Sequence, residues 1–403
     1  MSARRLALLV SGPAFLIGPL WPGWGGPPAQ PSPLAVLSHS RAAQPVVRPQ
    51  VSSPGWAAFN DPAGPRRRQY ALVRRVDRAI HGAWPGSTIR VAEYSFQMPS
   101  TAGALVQAHR RGVHVQVVVD DHARHWPSVR RLRHALGTDP DRPSFLRICH
   151  GSCRGGPGNQ HAKFVTFSAT GSMQHVVMTG SVNFTNYNAR VQWNDLYTVP
   201  EDTGLYRQFG RVFALMVRDR PQHRVHLPAP GEGFRTLVSP LPHYRPGNDP
   251  VAAILRRVHC ASGEGRTGRT VVRIAMHAWN GTRGVALAHQ VATLHSSGCD
   301  VRVLYGIGMG GRVADILRSA GVPIRDSSYR GTHVHEKVLL VSGGYGDRND
   351  ADYVWTGSHN WSNHSLRNDE LILRVAGADV VHAYRRNFHR MWSLTSRTAA
   401  KPG

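Results

Sequence analysis

Residues 161–167 read His-Ala-Lys-Phe-Val-Thr-Phe, and residues 335–341 read His-Glu-Lys-Val-Leu-Leu-Val. Each stretch is followed at a similar distance by Gly-Ser-x-Asn: Gly180-Ser181-Val182-Asn183 in the first, Gly357-Ser358-His359-Asn360 in the second. The apolar run after each His-x-Lys has strand character, and side chains two apart on a strand share a face, so each His points the same way as its Lys. One such string means little in a chain with 23 histidines, but lysine occurs only at Lys163, Lys337 and Lys401. Two of three lysines standing two residues after a histidine mark an internal repeat.

The repeat extends outward from these strings. Asn60-Asp61-Pro62 returns as Asn248-Asp249-Pro250, residues 89–96 (IRVAEYSF) as 272–279 (VRIAMHAW), and 112–117 (GVHVQV) as 298–303 (GCDVRV). Residues 205–216 (LYRQFGRVFALM) and 383–392 (AYRRNFHRMW) close the halves with Tyr and Phe on one helical face. In the first half Tyr70, Val73, Val76 and Ile80 recur at helical spacing, residues 88–96 alternate as a strand, a helix runs around 105–109, and 113–120 form an apolar strand. Strand, helix, strand implies parallel pairing. The expected fold is α/β: two pseudo-symmetric repeats over 66–216 and 248–396, each a mixed, mostly parallel sheet flanked by helices, joined by a proline-rich linker at 217–247.

The chain has 403 residues, 49 basic and 24 acidic, for a formal charge of +25, with 41% hydrophobic residues. That supplies enough apolar material for two domains and excludes an acidic disordered tail or a small disulfide scaffold. The charge favours anionic partners such as nucleic acid, phospholipid headgroups or teichoic-type polymers. Arg4 and Arg5 precede an apolar run from Leu6 to Leu20 broken by Pro13 and Pro19, a secretory signal pattern within residues 1–43 with cleavage after Ala29 or Ala43. A flexible leader is expected over 44–65, and the mature protein outside the cell. No later segment approaches the roughly 18 apolar residues of a spanning helix. Four cysteines in an oxidising compartment suggest two disulfides, and pairing Cys149 with Cys153 and Cys260 with Cys299 staples each half once. There is no paired C-x2-C pattern for zinc, and neither a metal nor a cofactor is expected.

The repeated residues suit phosphodiester cleavage. A neutral imidazole can attack phosphorus, a protonated one can supply the leaving oxygen with its proton, and cations hold the phosphoryl oxygens. Each half supplies one histidine and one lysine, so the two must face each other across one site. Asn183 and Asn360 add neutral donors, Gly180 and Gly357 let backbone approach the phosphate, and Ser181 and Ser358 stand with them as substrate contacts. Weaker candidates are the glycine-rich 151–158, His333 on the face of His335, and Trp193 and Trp361 as a cage for a quaternary ammonium group, though core packing explains both tryptophans as well.

At this point the sequence resembles the phospholipase D superfamily, whose signature of H-x-K-x4-D followed by G-S-x-N is doubled in the two-repeat branch. The resemblance spans about residues 59–392 and implies an eight- or nine-stranded mixed sheet per repeat with the active site at the repeat interface. It implies metal-independent hydrolysis through a phosphohistidine, with His161 as nucleophile, His335 as general acid, and Lys163, Lys337, Asn183 and Asn360 as phosphate ligands. Asp195 and Glu370 resemble the family's histidine-orienting carboxylates. The chain departs from the signature at Ser168 and Ser342, where the family has Asp. The resulting expectation is a secreted, monomeric phosphodiesterase with no obligate protein partner. It would act at a membrane surface, hydrolysing a phospholipid such as phosphatidylcholine to phosphatidate and a headgroup alcohol. The alternatives are a superfamily nuclease, with nucleic acid as partner, and a non-catalytic binder of anionic polymers.

Overall fold

The structure is a computed structural model that describes residues 54–221, 234–240, 246–260 and 268–398. The first repeat runs β1 (Trp56–Phe59), α1 (Arg66–Gln69), α2 (Ala71–His81), β2 (Thr88–Glu93), α3 (Pro99–Arg110), β3 (His114–Asp120), α4 (Pro127–Leu136), β4 (Phe145–Cys149), β5 (Phe164–Thr170), β6 (Met173–Gly180), α5 (Asn186–Val191), β7 (Gln192–Trp193), β8 (Asp195–Val199) and α6 (Thr203–Arg218). The second runs β9 (Arg235–Ser239), α7 (Pro250–Leu255), β10 (Val271–Trp279), α8 (Gly281–Ser296), β11 (Asp300–Met309), α9 (Gly311–Ser319), β12 (Ile324–Asp326), β13 (His333–Val334), β14 (Lys337–Tyr345), β15 (Arg348–Gly357), β16 (Glu370–Ala376) and α10 (Ala378–Thr398).

Each repeat builds one seven-stranded sheet, and the two orders correspond strand for strand: β1-β8-β6-β5-β2-β3-β4 and β9-β16-β15-β14-β10-β11-β12. This is the expected pair of mixed sheets flanked by helices, with two adjustments. Each sheet has seven strands, below the eight or nine implied, and parallel pairing is the minority, confined to β2 with β3, β3 with β4, β10 with β11 and β11 with β12. The strand-helix-strand signal governs only those strands; the rest of each sheet is antiparallel through the hairpins β5–β6 and β14–β15.

Two stretches read as connecting segments contain strands. Trp56–Phe59, within the expected leader, pairs antiparallel with β8, and Arg235–Ser239, within the expected linker, pairs antiparallel with β16. Both are five residues or fewer and sit at sheet edges, which is why their proline-rich surroundings hid them. The expected signal segment lies outside the described residues. Among the described residues no helix is long and apolar enough to cross a membrane.

The closing helices α6 and α10 explain how the halves dock. Leu205, Phe209 and Phe213 of α6 and Val381, Tyr384 and Phe388 of α10 share one hydrophobic cluster with residues of both sheets, among them Phe164, Val177, Val338 and Leu373. Helices α2, α3 and α4 cover the opposite face of the first sheet, and α7, α8 and α9 that of the second. The disulfides Cys149–Cys153 and Cys260–Cys299 form as expected, one per repeat. Phe209 is 1% exposed and packs edge-on against Phe164, the residue after Lys163, with ring centroids 5.1 Å apart. Phe209→Ala therefore costs about 3–5 kcal/mol in urea denaturation; a loss under about 1 kcal/mol would mean that α6 does not seal this core.

Candidate active site at the repeat interface

His161 and Lys163 lie in the extended segment leading into β5, and His335 precedes Lys337, the first residue of β14. The two segments are held by the opposite repeat. The His161 amide donates to the carbonyl of Asp369 at 3.0 Å, and the His335 amide to that of Trp193 at 2.9 Å. The residue after each acceptor then orients the imidazole. Glu370 places its carboxylate oxygens 2.9 and 3.0 Å from His161 Nδ1, and Asn194 places Oδ1 2.8 Å from His335 Nδ1. With Nδ1–H donating to Asn194, His335 Nε2 accepts from Lys337 Nζ at 3.1 Å. Each lysine is steadied by its own histidine's carbonyl, Lys163 and Lys337 donating at 2.6 Å.

The expected pairing of Asp195 with Glu370 is corrected by one residue. Ser181 N bonds to Asp195 O and Ser358 N to Leu371 O, so Asp195 matches Leu371 and Asn194 matches Glu370. A one-residue slip along a strand turns a side chain to the other face. Asp195 consequently points away from His335, accepting from Ser181 Oγ at 2.7 Å, Tyr384 OH at 2.8 Å and Thr356 Oγ1. It shares this buried pocket with Glu336, held by Asn387 Nδ2 at 2.6 Å; burial first, and for Glu336 the nearby Asp195, raise both carboxyls above the ordinary range.

The expected substrate roles of the serines and glycines are also corrected. Ser181 Oγ donates to Asp195 and Ser358 Oγ to Glu370 at 2.5 Å, so both hydroxyls brace strands β8 and β16. A Cβ on Gly180 would lie 2.3 Å from the Asp195 carbonyl oxygen, and one on Gly357 2.1 Å from that of Leu371. Their bareness serves strand-to-strand approach. Of the two asparagines, Asn360 Oδ1 accepts from Ala278 N at 3.2 Å, while the buried Asn183 Oδ1 has no protein partner. Trp193 and Trp361 are 2% and 3% exposed and pack in the core, which removes the cage. His333 contacts Gln192 at 3.1 Å and lies 6.0 Å from the His277 ring.

Several residues at the site escaped sequence reading. Tyr94, at the end of β2, packs its edge on His161 with centroids 4.8 Å apart and lies 5.1 Å from Lys163 Nζ. The repeat-matched residue of β10, His277, packs on His335 at 4.6 Å. The alignment of 89–96 with 272–279 carried that signal, since the two residues occupy the same place in it. Beside Tyr94 the buried Asp120 binds His122 Nδ1 at 2.5 Å and accepts from Gln160 N at 2.7 Å. The glycine-rich 151–158 is a brace between repeats: Arg154, fully buried, donates Nε to Asp369 Oδ1 at 2.6 Å, and Ser152 Oγ donates to Oδ2 at 3.0 Å. Asp369 is the residue that anchors the His161 amide, so the disulfide loop at Cys149–Cys153 reaches the histidine through two bonds.

The electrostatics follow from burial. Desolvation, then the Lys163 and Lys337 ammoniums, push His161 down to about 4 against the pull of Glu370. Burial, Lys337 and His277 hold His335 well below its ordinary value. Both imidazoles are thus neutral near pH 7 in the free protein. Burial alone would raise Glu370, but His161 and its neighbours hold it at about 2. Burial lowers Lys163 to about 8, and burial with the repulsion of the Lys163 ammonium holds Lys337 well below its ordinary value. Glu93 is pushed by burial to about 8, its carboxylate still attracted to Lys163. Four cationic or potentially cationic groups therefore share one buried space with one firmly ionised carboxylate. That is a receptor for an anion. Among the described residues no group of His, Cys, Asp or Glu could hold a metal ion.

A family model described as the PLD-like domain of cardiolipin synthase matches residues 76–217 and again 268–392, well over half of the chain. The chain belongs to the phospholipase D superfamily. Over 112 residues it is 36% identical to the mitochondrial cardiolipin hydrolase of Xenopus tropicalis, a match covering 27% of this chain and 49% of that one. The Xenopus laevis protein of the same name is 33% identical over the same length. The chain thus spans about half the length of the curated relatives it matches. Polyphosphate kinase from Porphyromonas gingivalis superposes with a TM-score of 0.54 at 14% identity, covering 84% of this chain and 50% of that one. Phosphatidylserine synthase from Haemophilus influenzae gives 0.54 at 13%, covering 81% and 85%. At such identities these two show a shared fold.

The chain departs from the superfamily signature at both Asp positions, which hold serines. Ser168 Oγ accepts from Thr88 N at 2.8 Å and Ser342 Oγ donates to Asp352 at 2.7 Å. Five residues along a strand at roughly 3.3 Å each puts them about 16 Å from the lysines. For the brace, Arg154→Ala leaves the Asp369 carboxylate buried without its cation and costs about 3 kcal/mol near pH 7, with a fall in activity as the His161 anchor loosens. Burial raises the Asp369 carboxyl above its ordinary value against the pull of Arg154; without that arginine the folded state holds a proton on Asp369 that the unfolded chain releases, so stability falls as pH rises through the raised value. Thermal unfolding from pH 5 to 8 reads this; a loss independent of pH would overturn the account.

Proposed function

We propose that the protein is a phosphodiesterase that removes the headgroup alcohol from a phospholipid, through a phosphohistidine on His161. The observation that carries the assignment is the unequal partnership of the two histidines: His161 has a carboxylate at Nδ1, His335 an amide. Attack on phosphorus turns the imidazole into a cation, and a carboxylate at the far nitrogen stabilises that charge while an amide does not.

The steps follow from the positions. The anionic diester sits against Lys163 and Lys337, with the donors of Asn183 and Asn360 beside it. Its charge raises His335, which is neutral in the free protein, so that His335 acquires a proton once substrate is bound. His161 Nε2 attacks phosphorus, the bond from phosphorus to the headgroup oxygen breaks, and that oxygen takes the proton from His335. His335, now neutral, removes a proton from water; the resulting hydroxide attacks phosphorus, the phosphorus–nitrogen bond breaks, and phosphatidate leaves. Buried polar atoms without a protein partner, on Gln160, Asn183 and His359, flank these residues and suit further contacts to an anionic group. The two disulfides accord with an extracellular protein, the location we propose. The charge of +25 favours the second reading, a nuclease of the same superfamily.

Headgroup release from vesicles containing cardiolipin or phosphatidylcholine, in excess chelator, tests the reading, with single-stranded DNA cleavage beside it. Release abolished in His161→Ala supports a lipid phosphodiesterase, and DNA cleavage alone, falling steeply with salt, overturns it in favour of the nuclease. Trapping of labelled phosphate in an alkali-stable, acid-labile linkage on His335→Ala but not on His161→Ala is expected; label retained on His161→Ala reverses the roles. Glu370→Gln lowers kcat by roughly 10- to 100-fold. Because the Glu370 charge raises His161, its removal drops that group below about 4 and moves the acid limb of kcat/KM to lower pH. A limb that stays in place or moves up would show that His161 does not govern it.

A further inference from the structure

A second cavity, of about 550 Å³, lies between the C-terminal half of α6 and strands β2, β3 and β4, and no residue of the histidine site lines it. Its volume falls in the roughly 300–1,000 Å³ range of small-molecule sites. Arg90, Arg147, Arg218 and Arg220 line it against one acidic residue, Asp141. Its apolar wall includes Phe145 and Phe213, the rings 6.5 Å apart.

Arg90, Arg147 and Arg218 are arranged without full compensation of their charge. Arg90 is fixed by two neutral oxygens, Gln116 Oε1 at 3.1 Å and Tyr206 OH at 2.9 Å, so it is oriented but unneutralised. Arg147 has Nη2 3.6 Å from Asp219, whose carboxylate is engaged more closely by His150 Nδ1 at 2.6 Å, and its buried Nε has no protein partner. Arg218 is exposed at the end of α6 and forms no ion pair among the described residues. Planar guanidiniums converging on one space match the oxygens of a phosphate, and the phenylalanines beside them match a short apolar chain. By contrast, Arg68 and Arg390 in the groove near β1 both pair with Asp61.

We infer that this cavity is a second binding site, for an amphiphile with a phosphate-monoester head, and that it acts apart from the histidine pair. Arg90, Arg147 and Arg218 hold the head, and the wall with Phe145 and Phe213 takes the first carbons of the chain.

The probe is dihexanoyl phosphatidate, kept below its micellar concentration and titrated calorimetrically into the wild-type protein and the Arg147→Ala/Arg218→Ala variant. The variant is expected to bind one equivalent fewer, or to bind that equivalent roughly tenfold or more weakly, as lost charge-assisted hydrogen bonds imply. Its basal phosphodiester hydrolysis and melting temperature are expected to match wild type, which separates this outcome from misfolding and from failure of the histidine-site reading. Unchanged stoichiometry and affinity in the variant overturn the site. Inorganic phosphate binding there as tightly as the phosphatidate overturns the amphiphile, and dihexanoyl phosphatidylcholine binding equally overturns the phosphate-monoester head.

Discussion

The site depends on reciprocal anchoring of each histidine by the opposite repeat. A main-chain bond fixes where the segment lies, from His161 to Asp369 and from His335 to Trp193, and the next side chain fixes how the ring turns. Neither repeat supplies both parts for its own histidine. The docking core around α6 and α10 is therefore part of the chemistry: whatever separates the sheets also frees both imidazoles. This explains why the interface carries polar braces as well as apolar packing, with Arg154 and Asp369 both fully buried. A buried ion pair contributes little net stability compared with an apolar pair of the same volume, but it fixes one arrangement over neighbouring ones. Here the arrangement fixed is the register of Glu370.

Much of this was legible because repetition is a long-range signal that survives ignorance of tertiary contacts. The His-x-Lys and Gly-Ser-x-Asn strings, the matching strands and the closing helices all fall where the repeat put them, and both disulfides join the expected cysteines. The missing information was of three physical kinds. Edge strands β1 and β9 pair on one side only and need little β propensity of their own, so their segments read as loops. Partnership across the interface leaves no local trace, which hid the role of Arg154. And adjacent polar residues, Asn194 and Asp195, differ in face by a single register step that spacing from Asn183 does not determine.

The two halves share a backbone plan, yet their side chains divide the electrostatic work. The first repeat places Glu93, Tyr94 and Asp120 around Lys163, where the second has Met276, His277 and Gly306 at the matching positions. Acidic neighbours oppose the desolvation of both lysines, Glu93, Glu370 and Asp120 for Lys163, which stays near 8, and Glu370, Asp195 and Glu336 for Lys337, which also meets the repulsion of Lys163. His161 gains the ionised carboxylate, and His335 gains an amide together with a lysine at Nε2. The first-repeat histidine thus has an ionised carboxylate behind its ring, and the second an amide behind it and an ammonium in front.

The serines at 168 and 342 complete the same argument about distance. Both stand far along their strands from the lysines, where one satisfies the amide of Thr88 and the other the carboxylate of Asp352. A carboxylate at either place would act on the sheet's polar bonds before it acted on the reacting phosphorus. A signature residue can therefore be replaced at both positions without emptying the site, because the demands of the chemistry fall on groups that touch the imidazoles and ammoniums. In this chain those groups are Glu370, Asn194 and the main chain that carries them, and each is in place.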